Sequence, residues 1–451
     1  MAEPHDLRIA NARVLHVAED RVEACDILIK DGRIAALCPP AAASRQDARE
    51  TIDAASGLVM PGLVNAHTHS PENLARGRAD RLKLAQWVNA VWHDIDVLPP
   101  DRIALAIEAG AAEMIRCGVT SVVDHFRQTP MREDAIVAAL DAYAATGLRT
   151  TLAVMLRDGR SAAGTLINAA HAGTVPRAAE QIALVTAMAG EAAARGVTLA
   201  YGPSAPHRCS DDLLEGLAAL GPFALIHTHL NETADDAAES YRRFGRSSIA
   251  HLDSLGLLHA GTACAHSVHV NGADVERLAR SRAIVVHNPL ANARLGSGVA
   301  PVTSFVAAGV RVALGTDGAA SNDTQDPWES IKLAALLPRL NEPVPATWPS
   351  SAAILDMATR QGHGATGLAA SEPLAGRIAP GAPADLIVFD DDPLALHSDA
   401  APAASLVLGS RREPRHVIAR GRFLMRDHQL TTVDEAKLRR RLRLMRRDIA
   451  A

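Results

Sequence analysis

The strongest constraint on the fold is an alternation of short apolar runs with Ala-rich helical stretches, which begins near residue 58 and continues to about residue 316. Eight of the runs are short and apolar enough to be buried parallel strands. They cover residues 58–66, 119–124, 149–156, 197–202, 223–228, 262–266, 283–287 and 310–316. Eight strands that alternate with helices predict an α/β fold of the (β/α)8 TIM-barrel type, which places its active site at the carboxyl ends of the strands.

Helical patterns occupy the stretches between these runs, at residues 101–117, 131–146, 177–195 and 272–280. Gly147 and Gly196 directly follow two of them, where a C-cap glycine is expected. Hydrophobic residues make up 48% of the chain but aromatic residues only 3%, so the core must consist mainly of Ala, Val, Leu and Ile. A chain of 451 residues is long enough for one barrel and a second, smaller domain.

Short strand patterns at both ends of the chain predict that smaller domain. Apolar residues lie on either side of Asp31-Gly32, a strong two-residue hairpin signal. Residues 384–389 and 416–422 have strand patterns again after the barrel pattern has ended. We therefore predict three parts. A small β-sandwich domain is built from both chain ends, residues 1–59 plus 376–430. The barrel spans residues 60–375, and a C-terminal helix spans residues 431–451.

The tail from Val433 has a helical period, with an apolar stripe opposite many arginines. The stripe consists of Leu438, Leu442, Met445 and Ile449. A basic helix can bind a membrane or a nucleic acid, but a solvated basic face on a packed terminal helix is the favoured interpretation. The net charge of −5 also argues against nucleic-acid binding.

The composition disfavours several other classes of protein. No apolar run approaches the ~20 residues that span a bilayer, and the first residues do not resemble a signal peptide. Five scattered cysteines form no CxxC pair, so a reduced, cytoplasmic setting is expected. The expected partner is a small molecule rather than a nucleic acid or a membrane, and a homo-oligomer is compatible with the chain.

Side chains that bind metals come at the carboxyl ends of the predicted strands. His67 and His69 end the first strand, and because side chains at i and i+2 of a strand point the same way, both can face one ion. The later strands add His227, His229, His266, His269, His287 and Asp317. Imidazoles and a carboxylate that converge on a barrel mouth are ligands of a catalytic divalent metal, and zinc and iron both fit.

Four stretches resemble the amidohydrolase superfamily, and within it the branch of deaminases and chlorohydrolases that act on nitrogen heterocycles. They are residues 61–69 (PGLVNAHTH), 227–233 (HTHLNET), 295–298 (LGSG) and 315–322 (GTDGAASN). The resemblance runs from the N-terminal strands through residues 380–385 (PGAPAD), which is nearly the whole chain. It implies a metal-dependent hydrolase on a (β/α)8 barrel.

By this resemblance four residues hold one divalent metal ion, with zinc preferred and iron as the alternative. They are His67, His69, His229 and Asp317. Binuclear members of the superfamily bridge two metals with a carboxylated lysine or a carboxylate from the middle strands. This chain has no lysine between Lys83 and Lys332, so the resemblance favours a single metal.

Three catalytic residues are implied by the same resemblance. Glu232 is the proton shuttle, and His266 helps to orient or deprotonate the metal-bound water. Asp317 counts as a catalytic residue as well as a ligand. A carboxylate near such a water can accept its proton and deliver it to a ring nitrogen and the leaving amine. His227 fits the strand geometry as well as His229 does, so only the family's spacing to Glu232 selects His229 and leaves His227 as a supporting or packing residue.

The long connection after the first strand predicts a lid or a pocket wall. Gln86 and Trp87 lie where relatives place a side chain that hydrogen-bonds the substrate ring, and an amide can donate and accept at once. The alternative for Trp87 is that it packs the lid helix onto the barrel. Adenosine-type deaminases often have an acidic residue in place of Gln86, so a ribose-bearing substrate is less favoured. Further candidate substrate-binding residues are His125, His207, Asn288 and Asn292.

These features together predict a hydrolytic deaminase of a purine, pyrimidine, pterin or triazine that releases ammonia. The first alternative is hydrolytic dechlorination or dealkylamination of an s-triazine on the same scaffold. Displacing chloride needs no proton at the leaving group, so the presence of Glu232 favours loss of ammonia. The second alternative, a non-catalytic scaffold protein, is disfavoured because the full ligand set is present.

Overall fold

Two β-sheets organise the chain, an eight-stranded parallel barrel and a mixed sheet of nine strands from both chain ends. The computed structural model describes residues 4–39, 48–92, 95–158, 176–368, 370–392, 400–409 and 413–450, with side chains up to residue 445. The strands are β1 (His5–His16), β2 (Arg21–Lys30), β3 (Arg33–Cys38), β4 (Ala48–Asp53), β5 (Leu58–Pro61), β6 (Leu63–Thr68), β7 (Val119–Phe126), β8 (Arg149–Leu156), β9 (Thr198–Pro203), β10 (Ile226–Leu230), β11 (Thr262–His266), β12 (Ile284–His287), β13 (Arg311–Leu314), β14 (Leu386–Val388), β15 (His416–Ala419), β16 (Arg422–Arg426) and β17 (Gln429–Leu430).

Strands β6 to β13 pair in sequence order, each parallel to the next, and form the predicted barrel. Helices and short 3-10 turns fill the connections. The α-helices are Leu84–Val91, Pro100–Arg116, Glu133–Thr146, Ala178–Ala187, Ala189–Ala194, Asp211–Ala218, Ala234–Phe244, Ser248–Ser254, Gly272–Ser281, Pro289–Arg294, Val302–Ala307, Pro327–Leu336, Pro338–Asn341, Ser351–Met357, Gly362–Ala365, Pro402–Leu408 and Glu435–Ala450. The C-cap prediction is confirmed at Gly147, which ends its helix with a φ of 74°.

The first predicted strand, residues 58–66, is in fact two strands that belong to different sheets. β5 pairs with β1 and β14 in the terminal sheet, whereas β6 pairs with β7 in the barrel. Gly62 separates them, and its amide donates to the carbonyl of Asp385 over 2.9 Å. A Cβ atom at this position would collide with the side chain of Thr120. The apolar run is continuous because both strands are buried, so hydrophobicity alone could not reveal the break.

A second prediction that was wrong is the single strand at residues 416–422. The chain reverses at Arg420 and Gly421, whose φ angles are 46° and 74°, and β15 and β16 form an antiparallel hairpin. Two consecutive residues with positive φ are the signature of a tight hairpin turn. The hairpin predicted at Asp31-Gly32 has the same geometry, with φ angles of 50° and 71°, and is confirmed.

The amino-terminal end of the barrel is closed by packing. The short helix Gly362–Ala365 lies against Val64 and Ile284, so that a side chain on Gly362 would overlap Val64. Nearby, the buried guanidinium of Arg149 binds the carboxylates of both Glu372 and Asp385. The site described below lies at the opposite end of the strands.

The C-terminal helix Glu435–Ala450 packs on the helix Pro100–Arg116. Leu438 and Met445 of the predicted stripe are buried there, and Arg441 forms an ion pair with Glu108. The side chain of Ile449, the last residue of that stripe, lies outside the described residues. Within the described part of the chain, none of the helices is both long and apolar enough to cross a membrane.

Candidate active site

Four of the predicted residues meet at the carboxyl end of the barrel. His67 and His69 come from the end of β6, His229 from β10, and Asp317 from the loop after β13. The Nε2 atoms of His67 and His69 lie 3.2 Å and 3.4 Å from Oδ1 of Asp317. The Nε2 atoms of His69 and His229 are 3.1 Å apart. All four side chains are buried. The ring nitrogens of His67, His69 and His229 lie within 4.8 Å of one another, and Oδ1 of Asp317 lies against the first two.

The seam between the first and last barrel strands holds this cluster together. The amide of Asp317 donates to the carbonyl of His67 over 2.9 Å, and the amide of Thr316 donates to the side chain of Asn65 over 3.0 Å. Asp317 has a φ of 65°, which is unusual for a residue with a side chain. Its carboxylate also accepts from the amide of Gly318 over 2.8 Å. Local strain at Asp317 is therefore offset by hydrogen bonds that fix its direction.

Hydrogen bonds at the other ring nitrogen decide which tautomer each histidine adopts. Nδ1 of His69 lies 2.7 Å from the carbonyl of His125, and Nδ1 of His229 lies 2.6 Å from the carbonyl of Ser204. A carbonyl can only accept, so both Nδ1 atoms carry the proton and both Nε2 atoms keep a free lone pair. The lone pair of each Nε2 then points into the cluster.

His67 is oriented by another histidine. Its Nδ1 lies 2.7 Å from Nε2 of His227 on β10. If His227 accepts this hydrogen bond, His67 has the same tautomer as His69 and His229. His227 also belongs, with His67 and His125, to a second group of nitrogens close enough to share an ion. A third group joins His67 and Asp317 with His266. Because the group of His67, His125 and His227 has no carboxylate, the nitrogens that lie near Asp317 form the better site for a divalent cation.

The cluster fits a divalent metal in its chemistry as well as its geometry. Nε2 of His67 is buried and has no hydrogen-bond partner among the described residues. Burial lowers the pKa of His67, His69 and His229, so the imidazoles are neutral at neutral pH, the form that binds metals. Three neutral imidazoles and one carboxylate form a donor set for a divalent ion such as zinc.

Glu232 and His266 lie beside the cluster. Nε2 of His266 is 3.8 Å from Oε2 of Glu232, and it has no hydrogen-bond partner among the described residues. Nδ1 of His266 lies 2.8 Å from Oδ1 of Asn292 and donates a hydrogen bond to it. Burial raises the pKa of Glu232 to about 7. A carboxyl with this pKa can both accept and release a proton near neutral pH.

The predicted substrate-binding residues fall into two groups. Gln86 and His207 line a cavity of about 900 Å³ at the barrel mouth. The side chain of Trp87 instead packs into the core, and its Nε1 donates to the carbonyl of Ala320 over 3.0 Å, as the packing alternative predicts. His125, Asn288 and Asn292 are buried beside the candidate ligands and bind protein groups: a ring nitrogen of His125 lies 3.0 Å from the carbonyl of Gly202, and both asparagines contact His266.

Glu72 is a residue of the site for which sequence reasoning found no role. It is buried in the 3-10 helix Ser70–Leu74 and accepts hydrogen bonds from Nε1 of Trp92, over 3.1 Å, and from the amide of Ala320. Its carboxylate fills the space that a side chain on Gly318 would occupy. Burial and the charge of Asp317 raise its pKa. A carboxylate five residues after His67 has no fixed meaning in a sequence pattern. Only the fold shows that Glu72 supports the loop that carries Asp317.

A parallel barrel with imidazoles and a carboxylate converging at its mouth defines a metal-dependent hydrolase of the TIM-barrel class. The model of the Amidohydrolase family matches residues 58–424. The chain therefore belongs to the amidohydrolase family.

Two similar proteins are named as nucleoside deaminases. A 5-methylthioadenosine/S-adenosylhomocysteine deaminase of Desulforudis audaxviator is 34% identical over 434 residues, which are 95% of each chain. A 5'-deoxyadenosine deaminase of Methanosarcina mazei is 33% identical over 439 residues, 96% of each chain.

Two solved structures have a similar fold along the whole chain. An adenosine deaminase from Xanthomonas campestris with bound zinc has a TM-score of 0.86 and 28% identity, with complete coverage of both chains. The atrazine chlorohydrolase of Arthrobacter aurescens, complexed with zinc, also has a TM-score of 0.86, with 25% identity and coverage of 97% of this chain and 99% of the other.

Proposed function

We propose that this protein hydrolytically deaminates a nitrogen heterocycle and releases ammonia. The observation that carries the proposal is the position of Glu232, a buried carboxyl with a pKa of about 7, directly beside a His/Asp cluster that fits a divalent metal. The deaminase names of the similar proteins support the same reaction.

In this proposal His67, His69, His229 and Asp317 hold one metal ion per chain, with zinc preferred over iron. A divalent metal in such a site lowers the pKa of a bound water, so that hydroxide is available near neutral pH. His266 would orient that water through Nε2, because its Nδ1 is held by the hydrogen bond to Asn292. The burial of every group excludes bulk water from the reacting atoms.

Glu232 moves the protons. Its carboxylate takes a proton from the attacking water and passes it to the ring nitrogen and then to the amino group that leaves as ammonia. The hydroxyl of Ser297 lies 3.4 Å from Oε1 of Glu232 and helps to hold the carboxyl in place. The opposite oxygen, Oε2, faces His266. The two oxygens therefore have separate environments, one for positioning and one next to the reacting water.

The substrate is a small heterocycle that enters through the cavity lined by Gln86 and His207. Purine, pyrimidine, pterin and triazine rings all carry the amidine edge that an amide side chain can bind. The names of the similar proteins add nucleosides to these candidates, although Gln86 cannot bind ribose hydroxyls with a charge as an acidic residue would. A cytoplasmic location and a homo-oligomeric state stay predictions.

The decisive experiment separates deamination from dechlorination, the reaction of the structurally similar chlorohydrolase. The variant Glu232→Gln keeps the size of the side chain but cannot carry the proton. We expect kcat on an amino-heterocycle to fall by about 10² to 10⁴, the usual contribution of general acid–base catalysis. The matched chloro-heterocycle should be affected much less, because chloride leaves without a proton.

Ammonia release and chloride release are measured on paired amino and chloro substrates, with zinc content checked in the wild type and the variant. Equal zinc content excludes a loss of metal as the cause. A Glu232→Gln variant that releases ammonia at close to the wild-type rate would contradict the proposal. A wild-type protein that turns over only the chloro substrates would instead support dechlorination.

A further inference from the structure

A cavity of about 350 Å³ lies at the amino-terminal end of the barrel, on the opposite side from the proposed active site. Three arginines from separate segments line it. Arg311 begins β13, Arg360 follows the helix Ser351–Met357, and Arg377 lies in the loop before β14. Glu372 is the one carboxylate among the described residues that line this cavity. A cleft in which cations outnumber anions attracts a negatively charged ligand.

The carboxylate of Glu372 does not neutralise these arginines, because other cations already use it. It accepts from Nη2 of Arg149 and, over 2.8 Å, from Nη2 of Arg420. Arg149 also binds the carboxylate of Asp385. This group contains two carboxylates and two guanidinium groups, so its charges balance and none is left for the arginines of the cavity.

Only one of the three lining arginines has an acidic partner of its own. Arg360 binds both carboxylate oxygens of Asp356, with its Nε 2.8 Å from Oδ1. Neither Arg311 nor Arg377 forms an ion pair with any acidic residue in the described part of the chain. The cavity therefore contains two guanidinium groups whose charges the surrounding described residues do not compensate.

The guanidinium of Arg311 is held in a fixed position. Its Nη2 donates to the carbonyl of Ala260 over 3.0 Å and to the carbonyl of Arg282. Its Nη1 lies next to Gly364, which lines the same cavity. Burial and the nearby charge of Arg282 lower the pKa of Arg311, and an anion in the cavity would oppose both effects. A donor that is already fixed loses little conformational freedom when it binds a ligand.

Gln361 adds a neutral donor to the same cavity. Its Oε1 accepts from the amide of Val312 over 3.2 Å, so its side-chain nitrogen, which can only donate, is directed elsewhere. His363 also lines the cavity, and burial lowers its pKa to about 4, so its ring is neutral near pH 7 and adds no charge. The available polar groups are thus N–H donors of Arg311, Gln361 and Arg377.

The arrangement of these donors indicates the shape of the anion. Planar carboxylates in this protein bind the edge of a guanidinium formed by Nε and Nη2, as Asp96 does on Arg127 and Asp356 does on Arg360. Arg311 cannot offer that edge, because its Nη2 is used by backbone carbonyls. Donors that come from separate segments suit a tetrahedral oxyanion, whose oxygens point in several directions.

We propose that this cavity binds a phosphate group, either as inorganic phosphate or as part of a phosphate monoester. Arg311, Gln361 and Arg377 donate hydrogen bonds to its oxygens, and the two guanidinium groups balance its charge. The site is separate from the candidate metal ligands, so the inference does not depend on the proposed deamination. No covalent step is involved, and occupancy stabilises the folded protein by mass action.

The test is calorimetric titration of the zinc-loaded protein with inorganic phosphate and with glycerol 2-phosphate, a monoester without a heterocycle. Chloride at matched ionic strength is the comparison anion. The variants are Arg311→Met and Arg377→Met, and the exposed position of Arg377 makes the second unlikely to disturb folding. Arg280→Met is the control, because Arg280 pairs with Asp253 at the surface. Asp317→Ala separates this cavity from the proposed metal centre, which could itself bind phosphate. Melting temperature is measured for each variant.

We expect one phosphate per chain to bind saturably in the wild type and with the same affinity in Asp317→Ala and Arg280→Met. Arg311→Met and Arg377→Met should each weaken this binding about ten- to a hundredfold, the usual contribution of a hydrogen bond between charged groups. Tighter binding of glycerol 2-phosphate would support a monoester as the ligand, and the reverse order would support inorganic phosphate.

Three results would overturn the inference. The first is the absence of saturable phosphate binding in the wild type. The second is binding that disappears in Asp317→Ala but persists in Arg377→Met, which would assign the phosphate to the metal centre. The third is an equal loss in Arg280→Met and Arg377→Met, which would show a general effect of net charge. Ammonia release is measured separately, so a failure of deamination is distinguished from a failure of phosphate binding.

Discussion

The two ends of the barrel surround their buried carboxylates with different partners. At the amino-terminal end, the charge of Arg149 is neutralised by Glu372 and Asp385. The guanidinium of Arg420 donates to Glu372 and its backbone amide donates to Asp385, each over 2.8 Å. At the carboxyl-terminal end, several imidazoles surround few carboxylates, and Nε2 of His67 and of His266 has no hydrogen-bond partner among the described residues. The buried carboxylates at the amino-terminal end are paired with arginines, whereas Asp317 at the other end lies against imidazoles.

Several residues at the carboxyl-terminal end have an unusual backbone conformation. Asn231, His266 and Asp317, all at or just beyond strand ends at the mouth, have φ angles of 46°, 72° and 65°. A positive φ in such a residue costs on the order of 1–3 kcal/mol and persists only where surrounding contacts determine it. The packed amino-terminal end supplies stability to the fold, and this allows strained residues and unpaired donors at the site.

The largest effect is expected from variants that disrupt the site and leave the amino-terminal end of the barrel intact. His69→Ala and Asp317→Ala each remove a proposed ligand, so we expect both to lose metal and all measurable turnover. His266→Ala should keep the metal and lose turnover, because its proposed role is to orient water. Elemental analysis of purified proteins checks this, with one metal per chain expected in the wild type. An empty site in His266→Ala would show that this residue is a ligand.

The next largest effect is expected from a variant that disrupts the amino-terminal end of the barrel alone. Arg149→Met leaves Glu372 and Asp385 buried without their main counter-charge, and removal of one partner of a buried ion pair costs about 3–5 kcal/mol in the free energy of unfolding. Zinc content and kcat of the folded protein should not change. Urea unfolding measures the effect, and Arg280→Met is the control. Arg280 pairs with Asp253 at the surface, so its loss should cost at most about 1 kcal/mol.

A smaller effect tests how the mouth orients its ligands. His227→Phe removes the group that holds Nδ1 of His67, so we expect metal affinity to fall by about 10- to 100-fold, as for other residues that support metal ligands. A competition titration with a chelator measures the affinity without relying on activity. His287→Phe is the control, since His287 is also buried but forms no hydrogen bond among the described residues. Similar losses in both variants would argue against the role of His227.

The smallest effect concerns pH and the amino-terminal end. Burial by itself would raise the pKa of Glu372, but Arg149 and Arg420 lower it below its ordinary value of 4.5. Because the folded-state pKa of Glu372 is lowered, its ionised carboxylate stabilises the fold at pH values above the ordinary value of 4.5. This stabilisation is lost as the pH falls through the folded-state pKa. Acid unfolding curves of Glu372→Gln should therefore be less steep below about pH 4.5 than those of the wild type. Glu276→Gln, at an exposed position, should leave the slope unchanged.

Much of the site could be predicted from the sequence because its signals are local. The i, i+2 spacing of His67 and His69 on a strand is set by backbone geometry. The three-residue step from His229 to Glu232 was recognised from the resemblance to the amidohydrolase superfamily. The alternation of apolar runs and helices also predicts the barrel, since each unit buries its own face. These features need no knowledge of distant contacts, and the structure places the corresponding side chains together.

Other features were decided only by tertiary contacts. Whether Leu58–Pro61 joins the terminal sheet or the barrel depends on β14, more than 300 residues away in sequence, and a uniformly apolar run carries no trace of that choice. The same holds for Glu72, whose carboxylate occupies the space beside Gly318. Sequence spacing determines which side chains share a strand end, whereas long-range packing decides which buried charges are neutralised and which remain free to bind a ligand.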